Sequence, residues 1–241
     1  YDVYKGDTFL IAGTGCIWGG GVSDYAAVTS IDLNNQSLTT AFTDVLLSKF
    51  VNLGEINFGI NSITLLDVTH LLKLFELRAP SNLINSIDLA NNTLLEILAL
   101  DRNNLSAINL SNNTLLQTVG LDRNNLNSID LSNNTLISVL ALYNNNLYLL
   151  DVSNNNLLLD LRAANNNLSS IDLSNNTLIQ TIIIDRNDIT AFDISNNPFL
   201  VYLRVETNEL GNLVNSQILI DLDAHGLSNG YFRSEIFGGG T

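Results

Sequence analysis

The stretch SIDLSNNTLISVLALYNNNLYLLD, Ser128–Asp151, contains one short phrase twice: Ile129-x-Leu131-x-x-Asn134-x-Leu136, then Leu140-x-Leu142-x-x-Asn145-x-Leu147. Both phrases recur on either side of it. Ile87, Ile108, Ile129, Leu150, Ile171 and Phe192 open the first phrase at intervals of 21 residues, and Leu98, Val119, Leu140, Leu161, Ile182 and Leu203 open the second at the same interval. Six units run from 87 to 212. A fixed period of this length is the mark of a solenoid, in which each unit buries its apolar side against its neighbours.

Within a unit, the alternation at Val119/Leu121 and at Ile129/Leu131 has the period of a strand with one buried face. The expected coil has two short strands on opposite sides, and stacked coils build two parallel β-ladders. Half a unit is too short for a helix with its connections. The asparagines follow from the bends, where inward backbone groups lose their partners. A buried amide has two donors and an acceptor to replace them. Asn103, Asn124, Asn145, Asn166 and Asn187 are expected to form one such ladder, and Asn92, Asn113, Asn134, Asn155, Asn176 and Asn197 the other. The Asn-Asn-Thr sequons at Asn91, Asn112, Asn133 and Asn175 then read as by-products of the repeat.

The nested halves Leu116-x-x-Val119-x-Leu121-x-x-Asn124-x-Leu126 and Leu126-x-x-Ile129-x-Leu131-x-x-Asn134-x-Leu136 fit the leucine-rich repeat formula. The chain resembles bacterial or phage-borne leucine-rich repeat proteins of the short 21-residue class. The resemblance is strongest over 87–212 and reaches back through Leu66-Asp67-Val68 to Ile56-x-Phe58-x-x-Asn61-x-Ile63. Residues 215–232 resemble the closing segment of such arrays. The resemblance implies binding or adhesion rather than catalysis, and an extracellular place on a bacterial surface or a phage particle.

The chain has 241 residues, 46% hydrophobic and 14% charged, with a formal net charge of −14. Such acidity argues against nucleic-acid partners, which require a basic patch. No run of 18 apolar residues is present, so no membrane insertion is expected. A lone Cys16 cannot form an internal disulfide, and a start at Tyr1 without methionine suggests a processed N-terminus.

Four segments are expected. Residues 1–27, rich in glycine and aromatics, form either part of a cap or a docking arm for a larger assembly. Residues 28–65 form an N-terminal cap, 66–212 the solenoid, and 213–241 a C-terminal cap with the start of a glycine-rich tail. Ile31 opens a copy of the aspartate phrase 35 residues before Leu66, 14 more than one period. The surplus includes AFTDVLLSKFVNL, whose Phe42, Val45, Leu46 and Phe50 have helical spacing after Thr40. A second short helix is expected over 216–225, ended by Gly226, and a last strand over 231–237.

Chemistry is sparse. Asp67, Asp88, Asp130, Asp151, Asp172 and Asp193 make an outward row interrupted by Asn109. At strand spacings of roughly 4.8 Å, neighbouring carboxylates repel by about 0.9 kcal/mol in water. No coil supplies a second carboxylate in register, so a solvated row is expected rather than a metal site. His70, His225 and Cys16 lie far apart in the array, and GTGCIWG lacks the spacing of a dinucleotide loop. No catalytic residue, metal or cofactor is predicted.

The two sides of the coil differ in variability among the six copies. The aspartate side is nearly uniform, whereas the other varies at Ala99, Gly120, Ala141, Arg162, Ile183 and Arg204, and at Asp101, Asp122, Tyr143, Ala164, Asp185 and Glu206. Tyrosine and arginine dominate binding hot spots. The candidate ligand-binding residues are therefore Tyr143, Asp160, Arg162, Arg186, Tyr202, Arg204 and Glu206. The expected function is recognition or adhesion towards a protein or glycan. The alternative is a structural component of an extracellular assembly or virion, anchored through residues 1–27.

Overall fold

The computed structural model describes residues 29–39, 47, 50–211 and 231–233. Each coil gives one three-residue strand: β1 Ser30–Asp32, β2 Glu55–Asn57, β3 Glu76–Arg78, β4 Ile97–Ala99, β5 Thr118–Gly120, β6 Val139–Ala141, β7 Asp160–Arg162, β8 Thr181–Ile183, β9 Tyr202–Arg204 and β10 Tyr231–Arg233. They form one ten-stranded parallel sheet in chain order. From β2 to β9 the register advances by one period per strand, as in Leu140 beside Val119 and Leu161. The middle residue of each strand from β1 to β9 faces inward; Leu98, Val119, Leu140, Leu161 and Ile182 are fully buried.

Among the described residues the sheet has no counterpart on the aspartate side, which corrects the expectation of a second β-ladder. There Asp88, Asp130, Asp151 and Asp172 each accept the backbone N–H two residues on, at 2.9 Å. Asn109 does the same for Ser111 at 3.0 Å. Each side chain takes a donor that a strand would offer to its neighbour, so the backbone turns. Asparagine side chains make the connection between coils instead. Asn134 Nδ2 donates to the carbonyls of Leu110 and Asn113 in the preceding coil, at 3.0 and 2.9 Å.

Both predicted asparagine rows are buried, and they work differently. Beyond the strands, Asn145 Nδ2 donates to Leu121 O and Leu142 O while its Oδ1 accepts from Leu126 N, all within 3.0–3.1 Å. On the aspartate side the buried Oδ1 atoms of Asn92, Asn113, Asn134, Asn155, Asn176 and Asn197 accept no hydrogen bond. The strand-side row also extends to Asn82, which makes the same contacts towards Phe58 and Ile63.

Ile31 lies elsewhere than its phrase suggests. It pairs with Ile56 in the sheet, 25 residues away rather than 35 from an aspartate-side partner, so the surplus over one period is four residues. Of the expected N-terminal helix, Leu47 is described and is helical and buried. Its remaining positions apart from Phe50–Leu53 lie outside the described residues, as do the expected helix over 216–225 and residues 234–237. Phe50 and Leu53 are buried against the first coils.

After each of β2 to β9 the chain leaves the sheet through a left-handed residue: Ile60, Ser81, Arg102, Arg123, Asn144, Asn165, Arg186 and Thr207, with φ between 54° and 58°. Asparagine tolerates this region, and a β-branched side chain is strained there. Ile60 is 55% exposed and contributes little packing to offset the strain. Ile60→Asn is therefore expected to stabilise the fold by about 0.5–1 kcal/mol, read as a higher urea midpoint. A lower midpoint would show that the isoleucine packs productively despite its backbone.

Candidate functional site on the strand face

The outward side chains of β2 to β9 come from the first and third residue of each strand and from the residue two further on. Parallel pairing places Ala99, Gly120 and Ala141 side by side across β4–β6. Arg162, Ile183 and Arg204 continue the row across β7–β9. The face is thus a floor of small residues followed by a charged and bulky region.

Two aspartates edge the floor. Asp101 Oδ1 accepts the N–H of Asp122 at 3.2 Å, and Asp122 Oδ1 accepts that of Tyr143 at 2.6 Å. Gly120 makes the first contact possible, since a Cβ there would lie 3.0 Å from the Asp101 carboxylate. Burial, aided by the neighbouring Asp101, holds the Asp122 carboxyl above its ordinary value against the pull of the Tyr143 N–H and of Arg162 and Arg123. The Arg123 guanidinium sits 5.9 Å from the Tyr143 ring centroid, within cation–π range.

The structure gathers most of the predicted residues into two ion-paired groups. Arg162 grips Asp160 on its own strand at 2.7 Å, and this bond holds the guanidinium still more firmly protonated. Arg204 reaches back one coil to Asp185 at 2.8 Å and stands 4.0 Å from Glu206. Asp185 is 2% exposed, and burial pushes its carboxyl up despite Arg204. Tyr202 shares the face as the first residue of β9. Arg186 stands apart: it is exposed in the left-handed turn beyond Asp185.

The candidate binding set omits Asp101, Asp122 and Asp185, although the repeat places them among the variable positions of this side, and it omits Arg123. A signal existed in the recurring Asp-Arg pairs 101–102, 122–123 and 185–186. Nothing in a single copy tells that its aspartate is buried by the coil that follows.

The aspartate side offers less. Hydrogen bonds from Thr69, Ser132, Ser153 and Ser174 hold the carboxyls of Asp67, Asp130, Asp151 and Asp172 below their ordinary values. Their charged forms are thus favoured by the fold, and like-charge repulsion does not dominate the row. A hollow of about 320 Å³ lies between the coils of Asp172 and Asp193, but both carboxylates are engaged in their own turns. Among the described residues, no three histidine, cysteine or acidic side chains stand close enough to hold a metal ion. Among the same residues, no helix is long and apolar enough to cross a membrane.

No protein-family model matches the chain, and no curated protein sequence matches it. Solved structures do. The functional domain of InlJ from Listeria monocytogenes aligns with a TM-score of 0.74 and 32% identity, covering 77% of this chain and 41% of that one. YopM, a leucine-rich effector protein from Yersinia pestis, aligns at 0.64 and 24% identity over 74% of this chain and 49% of that one. The leucine-rich repeat ectodomain of the receptor kinase GASSHO1/SCHENGEN3 from Arabidopsis thaliana aligns at 0.61 and 24% identity, over 69% and 23%. The chain therefore spans less than half the length of each. Its fold is that of the leucine-rich repeat class, built here on a 21-residue coil.

Proposed function

We propose that the chain is a non-enzymatic recognition module that binds a protein partner across its strand face, outside the cell. The observation that carries this reading is where variation falls. Core and asparagine positions repeat from coil to coil, and the outward strand positions change in size and charge along a rigid sheet. A face pre-ordered by main-chain pairing loses little conformational freedom on binding. Its ion-paired arginines and aspartates present fixed charges of both signs. A protein surface suits such a flat mosaic better than a glycan, for which a concave, aromatic-lined pocket is the usual seat. Among similar structures, the GASSHO1/SCHENGEN3 ectodomain is in complex with Casparian strip integrity factor 2. The alternative, an anchored structural role, rests on residues 1–27, which lie outside the described residues.

Arg162 is the residue to test, because it is exposed and its ion pair with Asp160 contributes little to stability. Wild type, Arg162→Ala and the pair Asp130→Asn/Asp172→Asn are to be applied to arrays of immobilised proteins and glycans. The expected result is protein capture that Arg162→Ala weakens fivefold or more, about 1 kcal/mol, and that the aspartate-side pair leaves unchanged. Capture lost only with the aspartate-side pair would move the site to the other face. Capture of glycans alone would replace the proposed partner class.

A further inference from the structure

One apolar feature belongs neither to the core nor to the strand face. Leu94, Leu115, Leu136, Leu157, Leu178 and Phe199 are 37–57% exposed and recur at 21-residue intervals, three residues before each strand from β4 to β9. They form a continuous ridge along the corner where the chain enters the sheet. Leu159 and Val201, two positions on, widen it at one end and are 37% and 54% exposed. Isolated exposed leucines call for no explanation, but a contiguous row over six coils does.

We infer that this ridge is a dimer interface for a second copy of the chain, packed antiparallel about a two-fold axis. Three observations select that occupant. The first is charge. Acidic residues outnumber basic ones 24 to 10 in the chain, yet among the positions one before and two after each ridge residue Glu96 alone is charged. A basic partner, which the rest of the surface would attract, finds nothing to pair with here. The complementary surface is an uncharged apolar one, such as the ridge itself. The second is shape. Both ridges repeat with the strand spacing of roughly 4.8 Å, so the two rows stay in step along their whole length. The two-fold arrangement is self-complementary and pairs Leu94 with the partner's Phe199, Leu115 with Leu178, and Leu136 with Leu157. Lys73, exposed one period before Leu94, penalises a slip that would set it against Phe199. The third is area. Eight side chains of this exposure offer roughly 500–600 Å² per copy, so that pairing buries roughly 1,000–1,200 Å² in total, the lower end for a specific interface.

The test is sedimentation of the full chain at micromolar concentration. The wild type is expected at twice its 26.3 kDa mass, and Leu136→Glu/Leu157→Glu at the monomer mass with an unchanged melting temperature. Leu149→Glu, on a side chain 68% exposed away from the ridge, is expected to remain dimeric. A monomeric wild type, or a dimer that survives the ridge substitutions, overturns the inference. If the double variant fails to fold, cysteine cross-linking decides. In a Cys16→Ser background, Leu115→Cys and Leu178→Cys are expected to form a disulfide when mixed. Neither should do so alone, because like positions lie roughly three strand spacings, or about 14 Å, apart along the axis. Cross-linking that is equal in all samples, or absent from the mixture, overturns the two-fold ridge.

Discussion

Asn145→Leu is expected to lower the unfolding free energy by about 3–5 kcal/mol, the largest loss for a single side chain outside the apolar core. The asparagine bonds two carbonyls and one amide, of Leu121, Leu142 and Leu126, all buried between coils. Leucine has the right size and none of the polar atoms, so the Leu126 N–H would be left without a partner where water cannot reach, and the Leu121 and Leu142 carbonyls would each lose one of two donors, keeping those from Asn124 and Asn166. The orphaned amide costs on the order of 1–3 kcal/mol and each lost carbonyl bond about 0.5–1.5 kcal/mol, moderated by relaxation of the coil. Asn134→Leu is expected to cost less, about 1–3 kcal/mol. It takes one donor from each of the carbonyls of Leu110 and Asn113, which keep the backbone N–H groups of Asn113 and Leu116, and it also removes an amide oxygen that is buried without a partner. Asn133→Leu is expected to change stability by about 0.5 kcal/mol or less, since its single long bond to Ser111 O is exposed. The order 145, 134, 133 is read from urea midpoints at constant m-value. Equal losses at 134 and 133 would mean that the inward asparagine contributes no more than its exposed neighbour. A milder effect at 145 than at 134 would refute the cost assigned to the orphaned Leu126 amide.

That ordering shows how much of the fold was written in the repeat. Period, core positions and both inward asparagine rows follow from the apolar spacing of a single unit, because burial and backbone satisfaction are decided within one coil and its neighbour. Which half-repeat becomes the sheet was not legible from apolar spacing, since both halves alternate alike. The difference lies in one side chain. An aspartate that accepts the N–H two residues on takes that donor out of any ladder, as Asp130 does with Ser132.

Even this rule yields to the neighbouring coil. Asp32 makes the same turn, accepting from Asn34 N at 3.0 Å, and still ends β1. Position in the stack decides its place: the first coil has β2 on one side and its strand pairs with it. The half-repeat beginning at Ile31 fits either side of a coil, and the strand edge of β2 outweighs the local preference. The charged part of the candidate site was legible only in outline. Arginine and tyrosine on a variable face marked the region, but the contact that fixes Arg204 bridges 19 residues, from one coil to the next.

Arg204 shows the consequence. By spacing, Arg162 and Arg204 occupy the same outward position of the coil. In the structure, Arg204 lies over Asp185, whose side chain is 4% exposed against 32% for the arginine. Arg204→Ala strips a buried carboxylate of its counter-charge. The expected loss at neutral pH is about 2–3 kcal/mol, below the 3–5 of a fully buried pair because a third of the guanidinium is solvated. Arg162→Ala, which breaks only the exposed pair with Asp160, is expected to lose less than about 1 kcal/mol. The pH dependence separates this cause from lost packing. Burial already holds the Asp185 carboxyl above its ordinary value, and Arg204 opposes that rise, so its removal drives the folded-state value higher still. An acid whose folded value is raised binds more protons folded than unfolded, and the fold then gains stability as pH falls through that value. The deficit of Arg204→Ala relative to wild type should therefore be full at neutral pH and shrink on acidification towards the carboxylate range. Asp185→Asn/Arg204→Ala should recover much of the loss at neutral pH, because no charge is left buried. Melting temperatures of the three proteins across this pH range provide the measurement. A deficit that is independent of pH and persists in the double variant would mean that Arg204 acts through its aliphatic stem, with Asp185 a bystander.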